Sequence, residues 1–230
     1  MSRNSREDWA RFDAGAIPTK GDLSLLEGWL DSLPRSGAPA RLLDLGCGVG
    51  VVSRRIGGRG FTVVGVDING EAIEEARRGG EGAFYRKDIA SPAGLALEEA
   101  PFDIVVCQLV LSVVGTLGNR RALLTNARKA LAPGGHFYLS ASGVSSAVNP
   151  GYARLYAQDL ERTGELHTYE SRDADGEVLY RTHHFTEEEL RALLEEAGFA
   201  EIDVVSKVET SSRRPAEAAV FLYAFARKPL

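Results

Sequence analysis

Apolar and polar positions follow two different periods along this chain, and the change from one to the other predicts its elements. Short apolar runs, typical of buried strands, alternate with segments in which apolar residues recur at helical spacing. We predict strands at 41–45, 61–66, 83–86, 103–107 and 136–141. We predict helices near 51–57, from about 71, and over 119–131. This alternation favours a parallel sheet with helices on both of its faces.

The two ends of the chain and one internal segment depart from this alternation. Residues 1–20 are polar and predict a short helix or arm, and 22–33 has helical spacing, so 1–38 is predicted to form an N-terminal helical cap. After the fifth strand, runs at 166–170 and 178–183 flank an Asp-Gly pair, which is a hairpin signal. We predict that residues 145–185 form a lid inserted over the edge of the sheet.

The last part of the chain returns to the helix and strand pattern. Thr186 followed by Glu189 is a capping box, which predicts a helix that ends near Ala197. Two closing strands are predicted near 201–207 and 218–226. With 230 residues, of which 44% are hydrophobic and 26% charged, the chain fits a single domain over 1–230.

Charge and cysteine content exclude several classes of function. A formal net charge of −5 argues against a nucleic-acid binder, which usually has a basic surface. Two cysteines cannot supply a three-cysteine iron–sulfur site, and we expect no metal ion. The longest apolar stretch, 104–114, is too short to cross a bilayer, and the N-terminus has no signal-peptide core. We therefore expect a cytoplasmic protein that binds neither nucleic acid nor a membrane.

The segment from Leu42 to Gly50 is the most informative part of the chain. Its sequence, Leu-Leu-Asp-Leu-Gly-Cys-Gly-Val-Gly, places an acid and three glycines between a predicted strand and a helix. The third glycine comes one position too early for the dinucleotide fingerprint G-x-G-x-x-G. Asp44 would repel a pyrophosphate but suits a ligand that carries an amine or a sulfonium. No G-K-[ST] follows, which excludes a P-loop, and a plain tight turn is the alternative.

This glycine segment resembles the first motif of class I S-adenosylmethionine (SAM) dependent methyltransferases. The resemblance implies a Rossmann-like, mostly parallel sheet of seven strands. It also implies that SAM is the cofactor, that S-adenosylhomocysteine is its product, and that the loop contacts SAM. The loop residues that we expect to contact the cofactor are Asp44, Gly46, Cys47, Gly48 and Gly50.

Two further acids follow predicted strands and extend the expected cofactor site. Asp67 ends the second strand, about where an acid holds a ribose in nucleotide-binding folds, and its two oxygens suit two hydroxyls. Helix capping is the alternative role for Asp67. In the family that this chain resembles, an acid at the position of Asp88 accepts from the adenine amino group. The N–H of Ile89 then meets a ring nitrogen and Ile68 lies against the adenine face, whereas the alternative for Asp88 is an ordinary polar loop residue.

The end of the fourth strand resembles the fourth motif of the family, which faces the methionine part of SAM and the acceptor. Gln108 stands there and is expected to contact the ligand through its backbone or side chain, or to cap the following segment. The sequence N/D-P-P-Y/F, which many enzymes that methylate nucleobase or glutamine nitrogens carry, is absent. Those substrates are therefore disfavoured.

Candidates for a catalytic base come from the return of the hairpin. His183 and His184 stand where the predicted lid rejoins the core, and histidine is the natural base near neutral pH. Because neighbouring strand residues face opposite sides, at most one of the two is expected to point inward. Arg181 is a candidate for binding an acidic acceptor. Aromatic candidates for the acceptor pocket are Trp9, Phe12, Trp29, Tyr152 and Tyr156, with core packing favoured for Trp29.

Together these observations predict a SAM-dependent methyltransferase that acts on an oxygen or nitrogen of a small molecule, as a monomer or homodimer. The sequence, rich in alanine, glycine and arginine, suits specialised metabolism. Two alternatives stay open, because fold does not imply function. One is a non-methylating reaction, such as a cyclisation or elimination, on the same scaffold. The other is a non-catalytic SAM-binding partner protein.

Overall fold

The computed structural model describes residues 5–19, 21–34, 37–210 and 217–230, so residues 1–4, 20, 35 and 36 of the predicted cap lie outside it. The helices are α1 (Ser5–Ala10), α2 (Ser24–Ser32), α3 (Val51–Gly57), α4 (Gly70–Arg78), α5 (Leu117–Ala130), α6 (Pro150–Thr163) and α7 (Glu187–Glu196). The strands are β1 (Arg41–Leu45), β2 (Thr62–Asp67), β3 (Ala83–Arg86), β4 (Phe102–Gln108), β5 (Leu131–Ser142), β6 (Thr168–Arg172), β7 (Val178–His183), β8 (Ala200–Thr210) and β9 (Ala218–Arg227). Two 3-10 turns, Ala14–Ala16 and Leu111–Val113, were not predicted.

Seven strands form one sheet in the order β3-β2-β1-β4-β5-β9-β8. The five strands from β3 to β5 are parallel, whereas β9 runs antiparallel to both β5 and β8. This confirms the predicted Rossmann-like, mostly parallel sheet. The strand order changes direction between β1 and β4: β1 is followed by β2 on one side of this pair, and β4 is followed by β5 on the other side. Such a topological switch point opens a crevice at the carboxyl ends of the strands.

Strand β5 begins earlier than predicted. The strand starts at Leu131 and includes a bulge at Pro133-Gly134-Gly135, where Gly134 has a φ of 72° and the pairing with β4 passes from Leu131 opposite Phe102 to His136 opposite Ile104. The N–H of Gly134 donates to the carbonyl of Lys228 at 2.9 Å, and the N–H of Lys228 donates to the carbonyl of Gly135 at 2.9 Å. The chain end after β9 therefore supplies hydrogen bonds that hold this bulge in place.

The hairpin of β6 and β7 forms a separate two-stranded sheet between β5 and α7. Its first strand begins two residues later than predicted, because the chain enters it through Gly164 and His167, both at positive φ. Its base is fastened to the end of β5, where the N–H of Phe185 donates to the carbonyl of Ser142 at 2.9 Å. The hairpin is thus held beside the carboxyl end of the main sheet.

Apolar side chains fill both faces of the sheet, as the near-continuous apolar strands predict. On one face Leu43 and Leu45 of β1 pack with apolar residues of α5 and α7, and on the other Leu42 packs with Leu26 and Leu30 of α2. Trp29 of α2 lies in this second core, with its ring centroid 5.7 Å from that of Tyr138. Helix α2 therefore covers the sheet. In the described part of the chain, no helix combines the length and apolarity needed to cross a membrane.

Candidate active site

A cavity of about 270 Å³ lies at the carboxyl ends of β1, β2 and β4. One end is formed by the loops that follow these strands, and the other by α6 and the hairpin of β6 and β7. Helix α1 contributes Arg6 and Trp9 to the lining of this cavity. We call the two parts the cofactor end and the acceptor end. The predicted residues that line the cofactor end are Asp44, Gly46, Cys47, Gly48, Asp67, Ile68, Asp88, Ile89 and Gln108.

The glycine loop has a backbone that other residues adopt poorly. Gly46, Gly48 and Gly50 have φ values of 75°, 51° and 78°, in the left-handed region that favours glycine. A Cβ atom at Gly46 would overlap the side chain of Val110 across the cavity. Gly50 does not line the cavity: it lies next to Ala76 and turns the chain into α3.

Most N–H groups of this loop are already paired inside the protein. Those of Gly46 and Cys47 donate to the carbonyl of Val66, at 2.8 and 3.1 Å, and that of Gly50 donates to the carbonyl of Cys47 at 2.9 Å. The N–H of Gly48 donates to a carboxylate oxygen of Asp67, also at 2.9 Å. A loop with its donors engaged in this way is poorly suited to a pyrophosphate, which needs free N–H groups. The structure thus supports the choice made from the glycine spacing.

Asp44 is an acid at the buried end of β1. Only 1% of its surface is exposed, and its Oδ2 accepts a hydrogen bond of 2.6 Å from the Ser53 hydroxyl. Burial raises the pKa of Asp44 to about 6, although the hydrogen bond from Ser53 lowers it, and the nearby charge of Asp67 raises it further. A positively charged ligand group beside Asp44 would offset this burial, which fits the ammonium or sulfonium of SAM.

Asp67 ends β2, and both of its carboxylate oxygens accept hydrogen bonds from backbone N–H groups. Its Oδ2 accepts from the N–H of Gly48 and its Oδ1 from the N–H of Asn69, each at 2.9 Å. Burial raises the pKa of this carboxyl against the lowering by those backbone donors. Each oxygen has a second lone pair, so both can still accept a hydrogen bond from a ribose.

Asp88 is paired with a residue that the sequence did not single out. Its Oδ1 accepts from the N–H of Ala90 at 3.0 Å, and its Oδ2 forms an ion pair with Arg6 of α1. The side-chain amide of Asn69 donates to the carbonyls of Trp9 and Phe12, at 3.1 and 2.7 Å, and fastens the same segment. The N-terminal segment therefore lies across the expected adenine position, and an exposed-looking arginine in a polar stretch gave no signal of this contact.

Two buried polar atoms around the cavity lack a hydrogen-bond partner among the described residues. They are Oε1 of Gln108, at the end of β4, and Nε1 of Trp9, in α1. A buried polar atom without a partner costs roughly 1–3 kcal/mol. A ligand that carries both donors and acceptors would satisfy these atoms. The carboxylates of the cofactor end, the closely packed glycine loop and these two unpaired atoms all suit SAM as the ligand.

The two adjacent histidines have different surroundings. His184 lines the acceptor end, where its Nδ1 lies 2.6 Å from the Tyr156 hydroxyl. His183 faces away from the cavity: its Nδ1 lies 2.7 Å from the Thr168 hydroxyl and its Nε2 lies 2.9 Å from a carboxylate oxygen of Glu189 in α7. The alternation of strand side chains separates the pair, as expected. Only His184 is in a position to touch a ligand in the cavity.

Other residues of the acceptor end follow the same alternation. Tyr169 and Ser171 of β6, and Tyr180 and Thr182 of β7, line the cavity, together with Tyr152 of α6. On the opposite face of β7, Arg181 donates to the carbonyl of Arg162 at 3.1 Å. The geometry therefore does not place Arg181 where it could bind an acceptor. The period of two in β6 and β7 was the signal that could have identified Tyr169, Ser171 and Thr182.

The remaining aromatic candidates divide in a similar way. Trp9 lines the cavity, with its ring centroid 4.7 Å from that of Tyr180. Phe12 packs on Trp9 at 4.8 Å, and Tyr156 supports His184 from outside the cavity lining. Trp29 belongs to the core, as favoured. The N-terminal segment and the hairpin therefore both contribute side chains to the cavity wall, where Trp9 and Tyr180 contact each other.

Comparisons with known proteins agree with this site. A methyltransferase-domain family model matches residues 23–204, well over half of the chain. The ubiquinone biosynthesis O-methyltransferase of Burkholderia orbicola is 33% identical over 117 residues, which cover 49% of this chain and 48% of that protein. That of Pseudomonas aeruginosa is 30% identical over 119 residues, with the same coverage. The chain spans about half the length of the curated relatives it matches.

Solved structures show the same fold over a larger share of the chain. A SAM-dependent methyltransferase from Methanosarcina mazei superposes with a TM-score of 0.78 at 27% identity, covering 90% of this chain and 98% of that one. Phosphoethanolamine N-methyltransferase 2 of Haemonchus contortus, in complex with SAM, has a TM-score of 0.67 at 13% identity, covering 99% of this chain and 60% of that one. This second likeness shows the fold alone. With the family model matching residues 23–204, the chain belongs to the class I SAM-dependent methyltransferases, and SAM is its cofactor.

Proposed function

We propose that this protein transfers a methyl group from SAM to an oxygen or nitrogen of a small, largely apolar acceptor. The observation that supports this most strongly is a single cavity that joins the cofactor end to a chamber lined by His184 and three tyrosines. We further propose that the hairpin of β6 and β7 acts as a lid over this chamber. The protein is proposed to work in the cytoplasm, as a monomer or homodimer, in a specialised biosynthetic pathway.

The cofactor end supplies a partner for each part of SAM. We assign the amino-acid part to Asp44 and the glycine loop, and the ribose to Asp67. The adenine is assigned to Asp88, with the N–H of Ile89 and the side chain of Ile68 beside it. Gln108, whose Oε1 is buried without a partner among the described residues, is assigned to a donor of the ligand. These groups bind and orient SAM, and none of them is required to move a proton.

The acceptor end favours an apolar, planar molecule. Aromatic rings of Tyr152, Tyr169 and Tyr180 wall it, and the described charged side chains that line the cavity belong to Arg6 and the three acids of the cofactor end. Among the described lining residues, an acceptor with a permanent charge would find no opposite charge in this chamber. Phenols and similar hydroxyl compounds therefore fit better than carboxylic acids or quaternary amines. The name of the Burkholderia relative, an O-methyltransferase, supports oxygen over nitrogen.

The chemistry asks the protein mainly for alignment and exclusion of water. Bound SAM supplies a methyl carbon on a sulfonium: a lone pair of the acceptor forms the new bond to this carbon, and the carbon–sulfur bond breaks with its electron pair on sulfur. A hydroxyl acceptor also loses its proton. His184 lies in the chamber at the point where this oxygen is expected, and the glycine loop holds the other reactant.

The test is a reaction with SAM that carries a 13C-labelled methyl group and a panel of phenols, carboxylic acids and amines. We expect S-adenosylhomocysteine to form together with a product that carries the labelled methyl, fastest with a phenol. A product without the label and without S-adenosylhomocysteine would instead show a non-methylating reaction. Binding of SAM without turnover of any class in the panel would support a SAM-binding partner protein.

A further inference from the structure

A cluster of polar and charged side chains lies on the outward side of the hairpin, away from the cavity. We call it the outer cluster, and its five members are Arg120 of α5, Glu165 before β6, Thr168 of β6, His183 of β7 and Glu189 of α7. All five lie outside the lining of the cavity. Arg120, Thr168 and His183 are buried, with at most 3% of their surface exposed. Burial of polar groups is costly unless they are paired, so the pairing shows which elements this cluster holds together.

The contacts of the outer cluster form one continuous chain from α7 to α5. Nε2 of His183 lies 2.9 Å from Oε1 of Glu189, and Nδ1 lies 2.7 Å from the Thr168 hydroxyl. That hydroxyl donates to Oε2 of Glu165 at 3.2 Å, and Oε1 of Glu165 forms an ion pair with Arg120. Although burial acts to raise the pKa of Glu189, the hydrogen bond with His183 lowers this pKa below its usual value. Glu189 is therefore an ionised acceptor near neutral pH, and Nε2 of His183 donates to it.

Strand β6 depends on side-chain contacts for its register against β7. The base of β7 is fastened to β5 by the backbone N–H of Phe185. Near the turn, the pairing of the two strands shifts by one residue, because Ser171 lies opposite Tyr180 whereas Arg172 lies opposite Val178. A two-stranded hairpin with polar residues on both faces specifies its register only weakly. Contacts across the strands at the base of the hairpin are therefore needed to align them.

Thr168 and His183 make such a contact, because they lie directly opposite each other at the base of the hairpin. Since His183 is also bonded to Glu189, this pair holds β6 against β7 and both strands against α7. The next outward pair, Glu170 and Arg181, is looser, with 3.8 Å between their nearest charged atoms. Of these two outward pairs, only Thr168 and His183 are within hydrogen-bonding distance.

Asp159 of α6 gives β6 a second attachment but does not align it with β7. Its carboxylate accepts from the N–H of Glu170 at 2.8 Å and from the guanidinium of Arg172 at 2.9 and 3.0 Å. These partners belong to β6, and the further ion-pair partner, Arg162, belongs to α6 itself. Asp159 thus fastens β6 to α6, whereas the pairing of Thr168 with His183 sets the position of β6 along β7.

We propose that His183 is a positioning residue of the acceptor chamber, which locks β6 and β7 in the register that turns Tyr169 and Thr182 towards the acceptor. A slip of β6 by one residue would exchange its two faces and bring Thr168 or Glu170 into the chamber in place of Tyr169. His183 then acts through the strands and does not touch the acceptor. This inference rests on the proposed function for the role of the chamber, and it deepens that function by assigning the histidine that faces away from it.

The register can be measured without turnover from the rings of Tyr169 and His184, whose centroids are 5.3 Å apart. NMR cross-peaks between their ring protons report that Tyr169 faces the chamber. We expect these cross-peaks in the wild type and in Thr168→Ser, which keeps the hydroxyl. Thr168→Val keeps the shape of the side chain without its hydroxyl and should lose most of their intensity. A folded Thr168→Val that retains the cross-peaks in full would overturn the proposal.

A second pair of variants tests the other ring nitrogen, and decides the matter if Thr168→Val does not fold. Glu189 is partly exposed, so leucine is tolerated there. Glu189→Gln keeps an oxygen that accepts from Nε2 of His183, whereas Glu189→Leu does not. We expect the cross-peaks to persist in Glu189→Gln and to weaken in Glu189→Leu. Arg181→Gln, at an outward position of the same strand, is the control and should leave them unchanged. Equal cross-peaks in Glu189→Gln and Glu189→Leu would refute the role of His183.

Kinetics with an acceptor found in the labelled-methyl assay distinguish positioning from a loss of stability. A variant that merely unfolds more easily has fewer active molecules, which lowers kcat and leaves the KM of the acceptor unchanged. A shifted register alters the chamber of the folded molecules. We therefore expect Thr168→Val to raise the KM of the acceptor about tenfold, the effect of one hydrogen bond, with the Kd of SAM changed less than about twofold. A fall in kcat alone would contradict the positioning role.

These outcomes separate this inference from the proposed function. The cross-peaks do not depend on turnover, so their loss in Thr168→Val would support the register lock even if the labelled methyl never reached an acceptor. Conversely, unchanged cross-peaks in the folded variants would refute the lock in a protein that transfers methyl groups.

Discussion

The cofactor end and the acceptor end of the cavity are built in different ways. The cofactor end comes from short segments at the ends of strands, and two of its acids, Asp67 and Asp88, accept hydrogen bonds from backbone N–H groups two residues further along the chain. The acceptor end gathers side chains from α6, β6 and β7, supported by contacts such as that of Tyr156 with His184. The cofactor end is therefore set by local sequence, whereas the acceptor end depends on tertiary packing. This difference predicts that variants at the two ends will separate cofactor binding from acceptor binding.

The largest expected effect is that of Gly46→Ala at the cofactor end. The substitution places a Cβ atom at φ 75° and against Val110, so both backbone strain and overlap follow. We expect the free energy of unfolding to fall by about 2–3 kcal/mol and SAM binding to be lost. Chemical denaturation and calorimetry measure the two effects.

The matched control is Gly28→Ala, in the exposed part of α2. A Cβ atom there has no neighbour within 4 Å, so alanine should raise stability by up to about 1 kcal/mol and leave SAM binding unchanged. Equal behaviour of the two variants would remove the argument from the geometry of the loop.

Asp67→Ala is expected to have the next largest effect. It removes both carboxylate oxygens and leaves the N–H groups of Gly48 and Asn69 without their acceptor. We expect SAM affinity to fall by about 1–3 kcal/mol, which is roughly fivefold to 150-fold. Asp203→Ala, at an exposed position of β8, should leave the affinity unchanged. An unaltered Kd in Asp67→Ala would exclude the ribose assignment.

The pH dependence of SAM binding tests Asp44. Because burial raises its pKa to about 6, the carboxyl is neutral below that pH and ionised above it. A bound cation favours the ionised form, so affinity should fall about tenfold for each pH unit below 6 and level off above it. Calorimetry across pH 4.5–8 measures this, with Asp44→Asn expected to flatten the profile. A wild-type profile that is flat through this range would contradict the role of Asp44.

The smallest expected effect is that of Arg6→Ala. Arg6 belongs to α1, the helix that contributes both Arg6 and Trp9 to the cavity wall. The ion pair between Arg6 and Asp88 is partly exposed and is worth at most about 1 kcal/mol. Removing the guanidinium frees Asp88 for the adenine amino group, so SAM should bind up to about fivefold more tightly. Arg11→Ala, an exposed arginine of the same segment, is the control. Weaker binding in Arg6→Ala would show that Arg6 holds the cofactor and does not compete with it.

The difference between the two ends also explains how much the sequence could predict. The type of the strands, and the positions of Asp44, Asp67 and Asp88 at strand ends, follow from short apolar runs and from glycine spacing. The Arg6–Asp88 pair joins residues 82 positions apart, and the Tyr156–His184 contact joins residues 28 apart. Such contacts depend on how elements pack, which no short motif encodes. The bulge of β5 at Gly134 likewise depends on hydrogen bonds with the distant chain end.

The most direct test of the two-part cavity is the Kd of SAM measured by calorimetry for the wild type, Asp67→Ala and His184→Gln. We expect Asp67→Ala to weaken binding at least about fivefold and His184→Gln to leave it within about twofold, because only Asp67 belongs to the cofactor end. Equal weakening in both variants, or weakening in His184→Gln alone, would contradict this division of the cavity.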